Sequence, residues 1–296
     1  MTITIAAPAP ASLAAPRVPP DRILLLLAPA VAILIFLFLV PLVLFFVRSF
    51  TEFDGTTADF IDQAWDLLLS QAFLTALATT NWIALIVTAT VLLVSYPIAY
   101  YLTTGTGSGV RIVLLSIVLP YFTSIIVRTF SWMVLLGEHG LVNDTLLAAG
   151  VIAGPLPLMY NRLGVLIGMS YVLLPYMVLT LYAAMRAIDP SLLRAAAGLG
   201  ASGFYTFRRV YFPLSLHGVL SGAMIVYILS IGFFITPALM GGQHDVMIAM
   251  LIDRSLEVAV DWPAAALMSL VLLLVTLALY AVYYRLTDIR RLIGAR

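Results

Sequence analysis

The sequence predicts an all-α membrane protein, a bundle of six helices with both termini on the same side of the bilayer. Three observations predict it. Hydrophobic residues make up 63% of the 296 residues and charged residues 10%, whereas a soluble domain carries roughly 25% charge. Mean hydropathy is +1.10, and apolar runs of about twenty residues, each able to cross a hydrocarbon core of ~30 Å, follow one another along the chain. Arginine falls in alternate connecting loops, which fixes an orientation.

The first twenty residues, rich in Ala and Pro with almost no charge, predict a disordered cytoplasmic leader over 1–22. The apolar run that follows is too long for a signal-peptide core, and no small-residue cleavage site comes after it, so it is expected to stay as the first span. Spans are predicted at Ile23–Val47, Ala78–Leu102, Val110–Leu136, Leu163–Met185, Leu214–Leu239 and Ala264–Tyr284. They form one membrane domain over 23–284, with a cytoplasmic loop at 186–213 and a tail at 285–296.

With the N-terminus inside, Arg17, Arg22, Arg111, Arg186, Arg194, Arg208, Arg209, Arg285, Arg290, Arg291 and Arg296 are cytoplasmic. Only Arg48, Arg162 and Arg254 lie outside. Because short-loop arginine sets topology, both termini are placed in the cytoplasm. The first outer loop is acidic, with Glu52, Asp54, Asp59, Asp62 and Asp66. Pro29, Pro41, Pro97, Pro120, Pro175 and Pro237 fall in or near the spans, where each frees a carbonyl and is read either as an ordinary kink or as a gating hinge.

Several functions are excluded by composition. Without cysteine there is no disulfide, thiol nucleophile or thiolate metal site. The chain has no lysine, so it holds no Walker A loop, and any ATP must be bound by another polypeptide. A net charge of +1 carries no bias toward nucleic acid. His139, His217 and His244 have no ligand spacing, so no metal site is expected.

The loop between the fourth and fifth spans reads AIDPSLLRAAAGLGASGFYTFRRVYFPLS. Asp189 before Pro190 starts a helix, because the carboxylate caps free amides and proline at the first position gives up no needed donor. Leu192, Leu193, Ala196 and Leu199 supply an apolar side, Ala195 to Ala197 keep the helix slim, and Gly198, Gly200 and Gly203 end it. Such an exposed helix suits docking in a partner's groove.

At these residues the chain resembles a known family. Arg194 to Gly200, with Ala201-Ser202 and Val210-Tyr211-Phe212-Pro213 beyond, resembles the EAA loop of binding-protein-dependent ABC import permeases. That resemblance implies that Arg194, Ala195, Ala196, Gly200, Ala201 and Pro213 belong to a coupling loop seated in an ATPase subunit. Arg194 stands where the family usually has Glu, so a salt bridge expected from that Glu cannot form. VRTFSWMVLLGEHGLVN from Val127, GFFITPALMGG from Gly232 and VDWPAAAL from Val260 are similar to the spermidine/putrescine-type group. Its members also carry other amines, opines and phosphonates. The resemblance implies a six-helix type I importer permease, multi-pass in the bacterial inner membrane. It further implies a second homologous permease, two ATPase subunits that bind ATP and Mg, and a periplasmic solute-binding protein.

For the translocation path the candidates are Arg128, Trp132, Tyr121, Tyr176 and Tyr227, with Tyr96 and Tyr171. A charge inside the membrane costs at least ~2.5 kcal/mol unless it snorkels or is paired, so Arg128 is read either as a path residue or as a structural pin. The aromatic rings could attract ammonium groups through their quadrupoles or simply pack. The acidic outer loop either docks the binding protein or is only solvated. Two rival functions remain, a secondary transporter and a non-transporting membrane scaffold. The first calls for coupling-ion carboxylates near the bilayer midplane, and no Asp or Glu falls within the predicted spans. The second has no use for the helix at Asp189.

Overall fold

A computed structural model describes residues 20–51, 53 and 55–294, apart from the side chains of 20–26, 50 and 286–294. The leader up to Pro19, Glu52, Asp54 and the last two residues of the tail lie outside the described residues. Every regular element among those described is helical. Six helices are long and apolar enough to span, at Leu27–Ser49, Gln71–Thr104, Ile125–Ala148, Arg162–Arg186, Gly203–Ile231 and Trp262–Arg285.

The first helix, α1 (Pro20–Thr51), forms a unit by itself. It is apolar all round, with Pro29 and Pro41 inside it, as suits a helix solvated by lipid. Near its end the Ser49 hydroxyl donates to the Phe45 carbonyl at 2.8 Å.

The second unit begins outside the bilayer with a helix, α2 (Thr57–Leu69), where the sequence predicts an outer loop. Thr56 and Asp59 make a reciprocal capping box, each satisfying an amide the helix start leaves free. Ser70 ends α2 and its hydroxyl caps α3 (Gln71–Thr104) by accepting from Phe73 N at 3.2 Å. Thus α3 starts seven residues before the predicted Ala78. The extra turns carry Gln71 and Thr75, polar side chains that depress hydropathy yet line an outer cavity.

The predicted third span is corrected by the structure, because Val110–Leu136 is not one helix. After Gly107 come α4 (Ser108–Val118), a 3-10 turn (Leu119–Phe122), two extended residues, Thr123 and Ser124, and then α5 (Ile125–Leu136). Pro120 has no amide to continue the ladder, and Thr123 N closes the turn on the Pro120 carbonyl at 3.1 Å. The short helix α6 (Leu141–Ala148) follows. Asn143, fully buried on α6, donates to the Gly137 and Leu156 carbonyls and accepts from Leu156 N, fixing the loop beyond.

At the centre is α7 (Arg162–Arg186). Val165, Met169, Leu173, Met177, Leu181 and Met185 recur every fourth residue on its buried side. Then come α8 (Pro190–Gly198), α9 (Gly203–Thr206), a π turn (Phe207–Tyr211) and α10 (Phe212–Ile231). The predicted fifth span, Leu214–Leu239, is also broken: α10 stops before Gly232, and α11 (Ile235–Met240) resumes after it. Finally α12 (Ile248–Glu257) leads to α13 (Trp262–Gly294), which continues as helix through most of the predicted tail.

The core lies among α3, α7 and α10. Lipid tails offer no hydrophobic drive between helices, so close packing and interhelical hydrogen bonds hold them. Glycine provides the closeness. A Cβ at Gly218 would overlap that of Ala184, one at Gly222 would lie 2.7 Å from Met177 Sδ, and one at Gly168 2.6 Å from Thr236 Cγ2. Hydroxyls add the bonds: Thr80 Oγ1 accepts from Ile248 N at 2.9 Å, and Tyr227 Oη donates to Asn81 Oδ1 at 2.7 Å. Gly218→Leu is expected to destabilise the bundle by about 1–3 kcal/mol through overpacking. Thermal melting in detergent checks this, and an unchanged midpoint would contradict the close α7–α10 approach.

Candidate functional site

Two regions gather the residues singled out by sequence. The first is the cytoplasmic loop. Asp189 Oδ1 accepts from Ser191 N at 2.8 Å and caps α8. Hydrogen bonding from Ser191, through its side chain and then its backbone, holds the Asp189 carboxyl below its usual range. A lowered folded-state pKa makes this contribution complete above the unfolded pKa, and it is lost as pH falls through the folded value. The cap is therefore in place at neutral pH.

The helix ends at Gly198, earlier than Gly203. Gly200 has φ +83, the left-handed conformation that closes a helix end, and Ala201 N bonds the Ala196 carbonyl at 3.1 Å. Leu193 turns inward and packs against the core cluster that holds Met185 and Tyr211. The outward side is left apolar, with Leu199 90% exposed and Phe204 74% exposed. Ala196, Gly200 and Ala201 line a shallow cleft with Tyr205 and Arg209. Arg194, Ala195 and Pro213 are exposed around it. Sequence reasoning found the helix but not Phe204 and Tyr205, whose exposure depends on how α9 turns away from α8.

The second region is a cleft of about 710 Å³ at the break between the 3-10 turn and α5. Pro120, Thr123, Arg128, Ser131, Trp132 and Tyr171 line it. Arg128 and Trp132 share it because residues four apart lie on one helix face. Trp132 meets Tyr171 edge-on at 5.3 Å between ring centres, and Tyr121 meets Tyr176 at 5.4 Å. Among the described residues, the buried Arg128 Nε has no hydrogen-bond partner and no carboxylate lines the cleft.

Tyr227 and Tyr96 sit elsewhere. Tyr227 bonds Asn81 between α10 and α3, and Tyr96 Oη lies 2.9 Å from Ser215 Oγ. Both hydroxyls tie helices together. The break that shapes the cleft was legible only as Pro120, one of several prolines with no distinguishing mark.

At the outer end of α7 the structure reveals an ion pair the sequence did not suggest. Arg162 Nε donates to the buried Asp245 Oδ1 at 3.0 Å, and Asp245 Oδ2 accepts from Gly242 N at 3.2 Å. The two residues are 83 apart in sequence, and Gly242 comes close enough because it carries no Cβ to strike the Tyr160 carbonyl. Arg162→Ala leaves that carboxylate without its cation. The expected loss is about 1–3 kcal/mol, discounted because the arginine is partly exposed. A melting curve unaffected by Arg162→Ala would show that the pair adds nothing to stability.

Residues 106–290 match the family described as binding-protein-dependent transport system inner membrane component. The chain is 30% identical over 259 residues to the spermidine/putrescine transport system permease protein PotB of Haemophilus influenzae, covering 85% of this chain and 89% of that one. It is 31% identical over 258 residues to PotB of Escherichia coli K12, covering 86% and 93%. Its fold is similar to a chain of a bacterial ABC transporter involved in the import of the acidic polysaccharide alginate, with TM-score 0.64 and 17% identity over 90% of this chain and 96% of that chain.

Proposed function

This chain belongs to the binding-protein-dependent transport system inner membrane components, and from that premise we propose that it forms half of the translocation path for a polyamine such as spermidine or putrescine. It is a multi-pass permease subunit of an ABC importer in the bacterial inner membrane. The other half of the path is assigned to a second, homologous permease, and delivery of solute to a periplasmic binding protein. ATP and its Mg²⁺ belong on two separate ATPase subunits, because this chain has no lysine for a phosphate loop.

The observation that carries the coupling role is the exposed helix α8, capped by Asp189, closed at Gly200 and flanked by bare apolar side chains. An apolar helix face left open to water fits a partner's groove. Arg194, Ala195, Ala196, Gly200, Ala201 and Pro213 are assigned to that contact. The substrate class is supported by the polyamine permeases that the chain resembles over most of its length, and by the paired rings of Trp132–Tyr171 and Tyr121–Tyr176, whose faces attract ammonium groups.

Purification from the native membrane tests the reading. The chain is expected to bring down an ATPase and a second permease in fixed stoichiometry. Reconstituted with its binding protein, the complex should accumulate spermidine or putrescine only with ATP. Uptake driven by an ion gradient without an ATPase would make it a secondary transporter. A reporter fused after Arg291 is expected to be cytoplasmic and one inserted near Asp59 periplasmic, as short-loop arginine dictates. Reversal of both would remove α8 from the ATPase side.

A further inference from the structure

Between the coupling helix and the bundle core the chain winds one turn differently from the rest. Phe207–Tyr211 is a π turn, in which Phe212 N bonds the Phe207 carbonyl five residues back. Such a turn holds one residue more than an α turn, costs hydrogen-bond geometry, and is found mostly at functional sites. It runs without interruption into α10 on one side, and α9 and α8 follow it back to the cytoplasmic surface on the other.

The turn is wedged by its own first residue. The Phe207 ring meets Tyr100 of α3 edge-on at 5.5 Å and Tyr96 at 6.2 Å, and stacks on Tyr211 at 6.0 Å. Tyr100 also meets Tyr211 edge-on at 5.1 Å. Leu193 of α8 packs against the core cluster that holds Tyr211, and α8 touches the π turn itself. The π turn and its rings therefore lie between the coupling helix and both α3 and α10, and edge-to-face contacts hold direction as well as distance.

We propose that the π turn Phe207–Tyr211, with Phe207 seated between Tyr96, Tyr100 and Tyr211, is the joint through which displacement of α8 turns α10 against α3. The extra residue gives the joint its freedom. Moved along the helix, it turns the residues it passes by about 100°, the angle per residue of an α-helix, while most backbone bonds survive. The ring cluster limits that freedom to defined positions, as bistable packing does in switching elements. Phe207 is a positioning residue here, absent from the lining of both clefts.

This inference rests on the reading of the chain as an ATP-coupled permease, and the test keeps the two apart. The complete importer is reconstituted in proteoliposomes with its binding protein. ATP hydrolysis is measured with and without solute-loaded binding protein, together with solute moved per ATP. If the wild-type complex shows no stimulation of hydrolysis, the permease reading itself fails. With stimulation present, Phe207→Ala should retain the ATPase subunits and basal hydrolysis but move at least about tenfold less solute per ATP. Phe207→Tyr, which keeps the ring, should restore the ratio. Phe207→Leu keeps apolar bulk and removes the ring contacts, so it should match the alanine variant in coupling while melting closer to wild type. Wild-type solute per ATP in the stable leucine variant overturns the proposal, and so does loss of ATPase subunits from it, which would make Phe207 a docking contact.

Discussion

Gly200→Trp is expected to abolish uptake, by at least about two orders of magnitude, while membrane insertion and the spans remain intact. Among the described residues nothing beyond its chain neighbours lies within 4 Å of the position a Gly200 Cβ would take, so a side chain added there starts into open space. The indole fills the surface beside Ala196 and Ala201, which we assign to the ATPase contact. Backbone strain is the competing cause. At φ +83 an L-residue costs roughly 1–2 kcal/mol, and Gly200→Asn separates the two effects because asparagine tolerates this region with a small side chain. The asparagine variant should transport nearly normally. Wild-type uptake and ATPase co-purification in Gly200→Trp would remove this loop from coupling.

The second large effect is expected at the cleft. Arg128→Ala and Trp132→Ala should each cut uptake at least about tenfold while hydrolysis stimulated by the binding protein persists. The cleft at Arg128 and the cleft at Gly200 share no lining residue, so one can fail without the other. If Arg128 were a structural pin, its removal would strand a buried partner at a cost of about 3–5 kcal/mol and lower the melting temperature. No partner for the Nε is present among the described residues, and on the path a cation here would repel a polyamine onward rather than hold it. Uptake, hydrolysis and melting measured together decide between them, and full uptake in both variants sinks the path assignment.

Six spans were legible because lipid imposes a simple rule. A backbone that crosses hydrocarbon must satisfy its own hydrogen bonds, so about twenty apolar residues in sequence announce a helix. The start of α8 was legible for an equally local reason, since Asp189-Pro190 is cap chemistry. The splitting of Val110–Leu136 was not. Hydropathy averages over side chains and does not register that Pro120 leaves Thr123 and Ser124 extended.

The sequence by itself determined the membrane class, the number of apolar spans, the start of α8 and the shared face of Arg128 and Trp132, because each depends on residues close together in the chain. Tertiary structure alone decided which aromatic residues meet. Trp132 reaches Tyr171, whereas Tyr227 turns to Asn81, and only helix packing sets which way each ring faces. It also decided the Arg162–Asp245 pair and the docking of Gly218 on Ala184. Contacts between residues far apart in sequence are fixed by how apolar helices fit against one another, and when almost every face is apolar, composition no longer says which face that is.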